Sequence, residues 1–116
     1  RDFVELAEQL RTGKWQENLK EAVFRSAVSR AYYGAFGTAR KHAERYLGFV
    51  KSCSSQDHKV LREFFKKRPE TAPLSTELDR LRQWRNQCDY DSEVAELEVL
   101  VQNAIASAKH IISQVS

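Results

Sequence analysis

A chain of 116 residues has room for one domain built on one hydrophobic core. Its 41% apolar and 30% charged residues are ordinary for a globular protein, and no apolar run approaches the roughly 20 residues that span a bilayer, which excludes a transmembrane helix. The net charge of +3, from 19 basic and 16 acidic residues, permits contact with nucleic acid without requiring it.

Two cysteines, Cys53 and Cys88, are too few for a disulfide-stapled scaffold, so a reducing, cytoplasmic setting is expected. Neither a secretory signal nor a transit peptide opens the chain, and with Arg1 first and no Met the ends read as trimmed.

Four glycines and two prolines punctuate the sequence sparsely and period-two alternation is rare, so the chain reads as all-α. The first helix is expected over Asp2–Thr12, where Phe3, Leu6, Ala7 and Leu10 recur at three- and four-residue steps before Gly13. The second, Glu17–Leu47, is much longer and ends at Gly48. Its stripes, Ala22, Ser26, Ser29, Tyr33, Phe36, Arg40, Ala43 and Leu47 beside Val28, Tyr32, Ala35, Ala39 and Tyr46, wrap more than half of the circumference and make it central. The small residues Ala31, Gly34, Ala35, Gly37 and Ala39 let a neighbouring backbone come close, although each mid-helix glycine costs about 1 kcal/mol relative to Ala.

A short third helix, Gln56–Lys67, takes Ser55 as its cap and carries Val60, Leu61, Phe64 and Phe65 before Pro69 and Pro73 break the pattern. The fourth, Ser75–Asp89, has Ser75 or Thr76 as its cap and a row of Leu74, Leu78, Leu81, Arg85 and Cys88. The fifth, Ser92–Val115, has the most regular spacing: Val94, Leu97, Val101, Ala104, Ala108, Ile111 and Val115. Short connections favour antiparallel neighbours. The expected fold is an up-and-down bundle of four to five helices over residues 1–116, with helices two and five at its centre.

Arg85 is the anomaly, because a guanidinium cannot shed its proton and burying it without a partner costs several kcal/mol. Asp89, four residues on, and Asp91 are its candidate partners, while Asn86 and Tyr90 add polar groups at the same helix end. Two readings stand: an Arg–Asp pair that fixes the corner between helices four and five, or a phosphate-binding or catalytic corner. Tyr32 and Tyr33 likewise read either as core aromatics or, with Ser29 and Arg30, as the facing wall of one polar pocket around Arg85.

The run Ser29-Arg30-Ala31-Tyr32-Tyr33-Gly34-Ala35-Phe36, followed by Arg85-Asn86-Gln87-Cys88-Asp89-Tyr90, resembles the HEPN domain family (higher eukaryotes and prokaryotes nucleotide-binding) over nearly the whole chain. The first element is similar to a "SRAYYAAF" stretch of prokaryotic members, and the second to their "RNxADY" corner, with Cys88 where Ala is frequent. The resemblance implies a helical bundle that forms a homodimer. For many members it implies a metal-independent endoribonuclease, often the toxin of a toxin–antitoxin pair whose partner is a minimal nucleotidyltransferase.

In nuclease members an Arg is followed, after four to six intervening residues, by a His. Here Tyr90 stands after four residues and Ser92 after six, so the family's general base is absent from the motif. A phenol with a pKa of about 10 is a poor substitute for an imidazole of about 6.5, and a partner arginine would weaken Asp89 as a base.

Two functions follow from the resemblance. One is a ribonuclease-like toxin with Arg85 on the scissile phosphate, Asn86 and Asp89 positioning it, Tyr90 in the histidine's place, and Ser29, Arg30 and Tyr33 as binding residues. The other is a non-catalytic module for a nucleotide, RNA or a nucleotidyltransferase. His42, His58 and His110 lack carboxylates at ligand spacing and no Gly-rich phosphate loop is present, so no metal and no cofactor are expected. Arg40, Lys41 and Arg45 read as solvating the long helix or as an RNA-binding surface, and Trp15 and Trp84 as packing anchors or base-stacking groups.

Overall fold

The structure, a computed structural model, describes residues 2–50 and 56–115. Its helices are α1 (Asp2–Thr12), α2 (Glu17–Tyr46), α3 (Asp57–Lys66), α4 (Ala72–Tyr90) and α5 (Leu97–Val115), an all-α bundle with one long member. At a rise of about 1.5 Å per residue α2 is ~45 Å long, and it sets the longest dimension of the 46 × 26 × 24 Å molecule. Helices α1, α4 and α5 pack on α2, while α3 docks mainly on α4. Among the described residues, no helix is long and apolar enough to cross a membrane.

Close packing around α2 follows from an alanine row. Ala27, Ala31, Ala35, Ala39 and Ala43 recur every four residues and all are fully buried, so this face presents no long side chain to hold a neighbour away. Phe24, Val28, Tyr32 and Phe36 widen the stripe. The sequence stripe was rotated at its start: Ala22 and Ser26 face solvent, and so does Tyr46. At the far end Gly48 adopts a left-handed φ of 79°, which lets the chain turn back so that the Phe49 N–H reaches the Ala43 carbonyl.

Gly34 and Gly37 differ in what surrounds them. A Cβ on Gly34 would lie 2.8 Å from Val4 Cγ2 and 3.3 Å from the Val4 backbone nitrogen, whereas one on Gly37 would meet nothing within 4 Å. Gly34 therefore seats α1 against α2. Gly34→Ala is expected to lose about 1–3 kcal/mol to overpacking, offset by up to about 1 kcal/mol of helix propensity. Gly37→Ala should instead stabilise by roughly 0.5–1 kcal/mol. Urea melts of the two variants should shift in opposite directions.

Two helix starts differ from the sequence expectation. Helix α4 begins at Ala72, three residues before Ser75, because Pro73 falls in its first turn, where the missing N–H breaks no helical bond. Ser75 is buried within α4 rather than capping it, and Thr76 is exposed there. Thr71 holds the N-cap position, and its hydroxyl donates to the Phe65 carbonyl at 2.9 Å, tying α3 to α4. Helix α5 begins at Leu97 rather than Ser92. Glu96 before it has a φ of 50°, a conformation outside helical geometry, so Val94 belongs to the connection. From Val101 onward the expected stripe is buried, with Ile105 and Ile112 added. The Ser55 cap and Cys53 lie outside the described residues.

Candidate functional site

Arg85 sits on the half-buried face of α4 that follows the Leu74, Leu78 and Leu81 row. Its side chain is 20% exposed, and its Nε lies 2.9 Å from Asp89 Oδ2. The guanidinium lies over both neighbouring tyrosines of α2, 5.8 Å from the Tyr32 ring centre and 5.2 Å from that of Tyr33. A cation on two aromatic faces recovers part of its lost hydration. The i, i+4 pairing expected from the sequence and a position against the α2 tyrosines therefore coexist.

The groove beside Arg85 has a volume of about 530 Å³ and lies where α2, α3 and α4 meet. Five cations line it: Arg40 from α2, Lys59 and Arg62 from α3, and Arg82 and Arg85 from α4. Among the described residues Asp57 is its one acidic lining residue, and Asn86, Tyr32, Phe36 and His58 also line it. Several of the cations carry carboxylates behind them. Asp79 pairs with Arg82 at 2.9 Å and Arg62 at 3.5 Å, and Glu44 with Arg40 at 3.6 Å. Burial pushes the Asp79 carboxyl up, but the Arg82 hydrogen bonds and the charges of Arg82 and Arg62 outweigh it and hold Asp79 below the usual carboxylate range. These carboxylates lie outside the groove lining, so they orient the guanidinium groups while the groove itself stays cationic.

His58, the second residue of α3, lines this groove. Its ring stacks on Phe36, with centroids 3.9 Å apart and planes within 6°, and its Nδ1 is hydrogen-bonded to the Tyr32 hydroxyl. Burial, reinforced by Arg85 and Arg62, lowers its pKa from the ordinary 6.5. Burial also pushes the Tyr32 phenol up to about 12, so it stays protonated.

The expected site residues divide. Arg85 and Asn86 share the groove, and Tyr33 carries the Arg85 guanidinium on its ring. Ser29, Arg30 and Asp89 do not join that wall; with Arg25 and Ser26 they line a separate hollow of about 210 Å³. Arg30 is exposed and lies over the Phe3 ring at 5.8 Å, drawn toward α1 rather than toward Arg85. Tyr90, in the histidine's place, is 76% exposed and lines neither hollow. It follows Asp89 at the last position of α4, where the helix turns that side chain outward. Trp15 also lies away from the groove: its indole N–H donates to the Leu10 carbonyl at 2.8 Å at the end of α1.

Sequence reasoning overlooked Lys59, Arg62 and Arg82, weighed His58 only as a metal ligand, and read Arg40 first as a solvated surface group. A signal for part of this set was present. Lys59 and Arg62, and again Arg82 and Arg85, are three residues apart, which places each pair on one helix face.

Arg25 was also overlooked. Its Nη1 donates to the carbonyls of Cys88 at 2.8 Å and Asp91 at 2.7 Å, and its Nη2 to that of Ser92 at 3.2 Å. One guanidinium thereby satisfies the carbonyl end of α4 and ties the Arg85–Asp89 turn to α2. Cys88 in that turn is buried, and burial raises its thiol to about 11, so it stays protonated and packs as an apolar group. Among the described residues no three His, Cys, Asp or Glu side chains gather as a metal ligand set. Compared with family models, with curated proteins and with solved structures, the chain matches none.

Proposed function

We propose that this chain is a HEPN-like helical module that binds the phosphodiester backbone of single-stranded RNA in the groove between α2, α3 and α4. The observation that carries the reading is the convergence of Arg40, Lys59, Arg62, Arg82 and Arg85 from three helices on one groove that has, among the described residues, a single acidic lining residue. Guanidinium forks suit phosphate oxygens, and neutralised phosphates release counterions, so such a groove binds polyanions without reading base identity. The resemblance of the Ser29–Phe36 and Arg85–Tyr90 runs to HEPN proteins supports RNA as the polyanion and a homodimer as the assembly.

The test is fluorescence anisotropy with a short unstructured RNA between 50 and 300 mM salt. If three to four phosphates are held, the logarithm of affinity should fall against the logarithm of salt concentration with a slope of roughly −2 to −3. Binding that is absent at the lowest salt, or insensitive to salt, would remove the proposal.

A further inference from the structure

We infer that the hollow between the start of α1 and the middle of α2 holds one base of the bound RNA strand, with Gly37 as its floor and Phe3 and Tyr33 as its stacking rings. The inference rests on the RNA-binding reading above and adds a base site to the phosphate groove. The hollow has a volume of about 240 Å³, and Thr38, Lys41 and Asp2 also line it. That is smaller than the roughly 300–1,000 Å³ of pockets that hold a whole small ligand. It suits one planar ring of a ligand anchored elsewhere.

Gly37 is the first sign of such an occupant. Gly34 and Gly37 both weaken α2 relative to alanine, but only Gly34 has a neighbour that needs it, the start of α1. A Cβ on Gly37 would meet nothing within 4 Å, and Gly37 lines the hollow. The bundle therefore gains no packing from the missing side chain, and close approach of a ligand to the helix backbone is the use that remains for it. The two rings are the second sign. Phe3, in the expected apolar stripe of α1, is 47% exposed, and Arg30 lies over its ring at 5.8 Å. Tyr33 is half-buried. Aromatic side chains at the border of a hollow stack bases without regard to their identity.

Tyr33 also joins the hollow to the groove. Its ring lies 5.2 Å from the Arg85 guanidinium, 6.0 Å from the His58 ring and 5.3 Å from that of Tyr32. Along α2, Tyr32, Phe36 and Arg40 line the groove, while Tyr33, Gly37 and Lys41 line the hollow. The two rows are one residue out of step, about 100° around the helix, which separates them by ~8 Å at the radius of the side chains. A nucleotide spans that separation between its phosphate and its base, so a strand held at Arg85 presents a base to the hollow. Lys41 offsets the Asp2 carboxylate at this entry.

The experiment measures anisotropy with a labelled uridine hexamer and with a hexamer of the same ribose-phosphate backbone that lacks the bases. Both carry the same charge, so the ratio of their affinities reports the bases alone. Wild type should bind the uridine strand about 5- to 100-fold more tightly, the worth of one stacked base. Gly37→Leu puts a side chain into the hollow and should bring the ratio to within twofold of unity, with a melting temperature no lower than that of wild type. Phe3→Ala should lower the ratio in the same direction. A Gly37→Leu protein that keeps the wild-type ratio overturns the base site and spares the phosphate groove, and so does a wild-type ratio of one. A Gly37→Leu protein whose mass by light scattering differs from that of wild type overturns it as well, by assigning the hollow to contact between copies. Failure of wild type to bind either strand overturns both readings.

Discussion

Replacing Arg85 with Ala is expected to weaken RNA binding by about 10- to 100-fold, the equivalent of about 1.5–3 kcal/mol for a charge-assisted hydrogen bond lost from a phosphate. The slope of affinity against salt should also flatten by about 0.7, the share of one phosphate on a single strand. Arg85 carries this weight because its position is already determined before ligand arrives. The Tyr32 and Tyr33 rings and the Asp89 carboxylate hold the guanidinium in place, so little rotamer freedom remains to be lost on binding. Arg85→Lys keeps the charge but loses the planar fork and the stacking, and should fall between wild type and Ala. Anisotropy at two salt concentrations separates the three proteins. An Arg85→Ala protein that matched wild type at both would detach the polar corner from RNA binding.

Phe65→Ala should reduce stability by about 3–5 kcal/mol, lowering the melting temperature by roughly 12–20 °C at ~4 °C per kcal/mol for a chain of this size. Phe65 and Leu61 are the fully buried residues of α3, and α3 packs chiefly on α4. The cavity is therefore made at the attachment of one short helix rather than inside the α2–α5 contact. Because Asp57, His58, Lys59 and Arg62 all ride on α3, loosening it scatters one wall of the groove while the other helices stay paired. RNA binding should accordingly be lost at temperatures where far-ultraviolet circular dichroism still reports most of the native helix. Thermal melts followed in parallel by dichroism and RNA anisotropy check this. Coincident loss of both signals would mean that α3 unfolds only with the whole bundle.

The helices were legible because their signal is local. The rows Val101, Ala104, Ala108 and Ile111 in α5, and Leu74, Leu78 and Leu81 in α4, repeat at the helical period, and that period alone decides which side meets the core. Errors fell where local signals compete. Pro73 reads as a breaker but is tolerated in a first turn, and Ser92 reads as the start of the fifth helix, yet Glu96 interrupts the helix behind it.

Arg85 was legible as well, since a charge inside an apolar row must find polar or aromatic company wherever the row packs. What the chain could not disclose by itself was which company. His58 looks solitary in sequence, and its neighbours Phe36 and Tyr32 belong to another helix. Tyr90 looks well placed by motif spacing, yet one step past Asp89 it faces solvent.

Composition and helical periodicity thus determined by themselves an all-α bundle around a long α2, because backbone hydrogen bonding and apolar spacing act within a few residues along the chain. Only the tertiary structure decided that His58, the cations of α3 and the corner of α4 share one groove. Side chains on different helices are brought together by how those helices dock, and docking depends on the joint shape of all the buried faces.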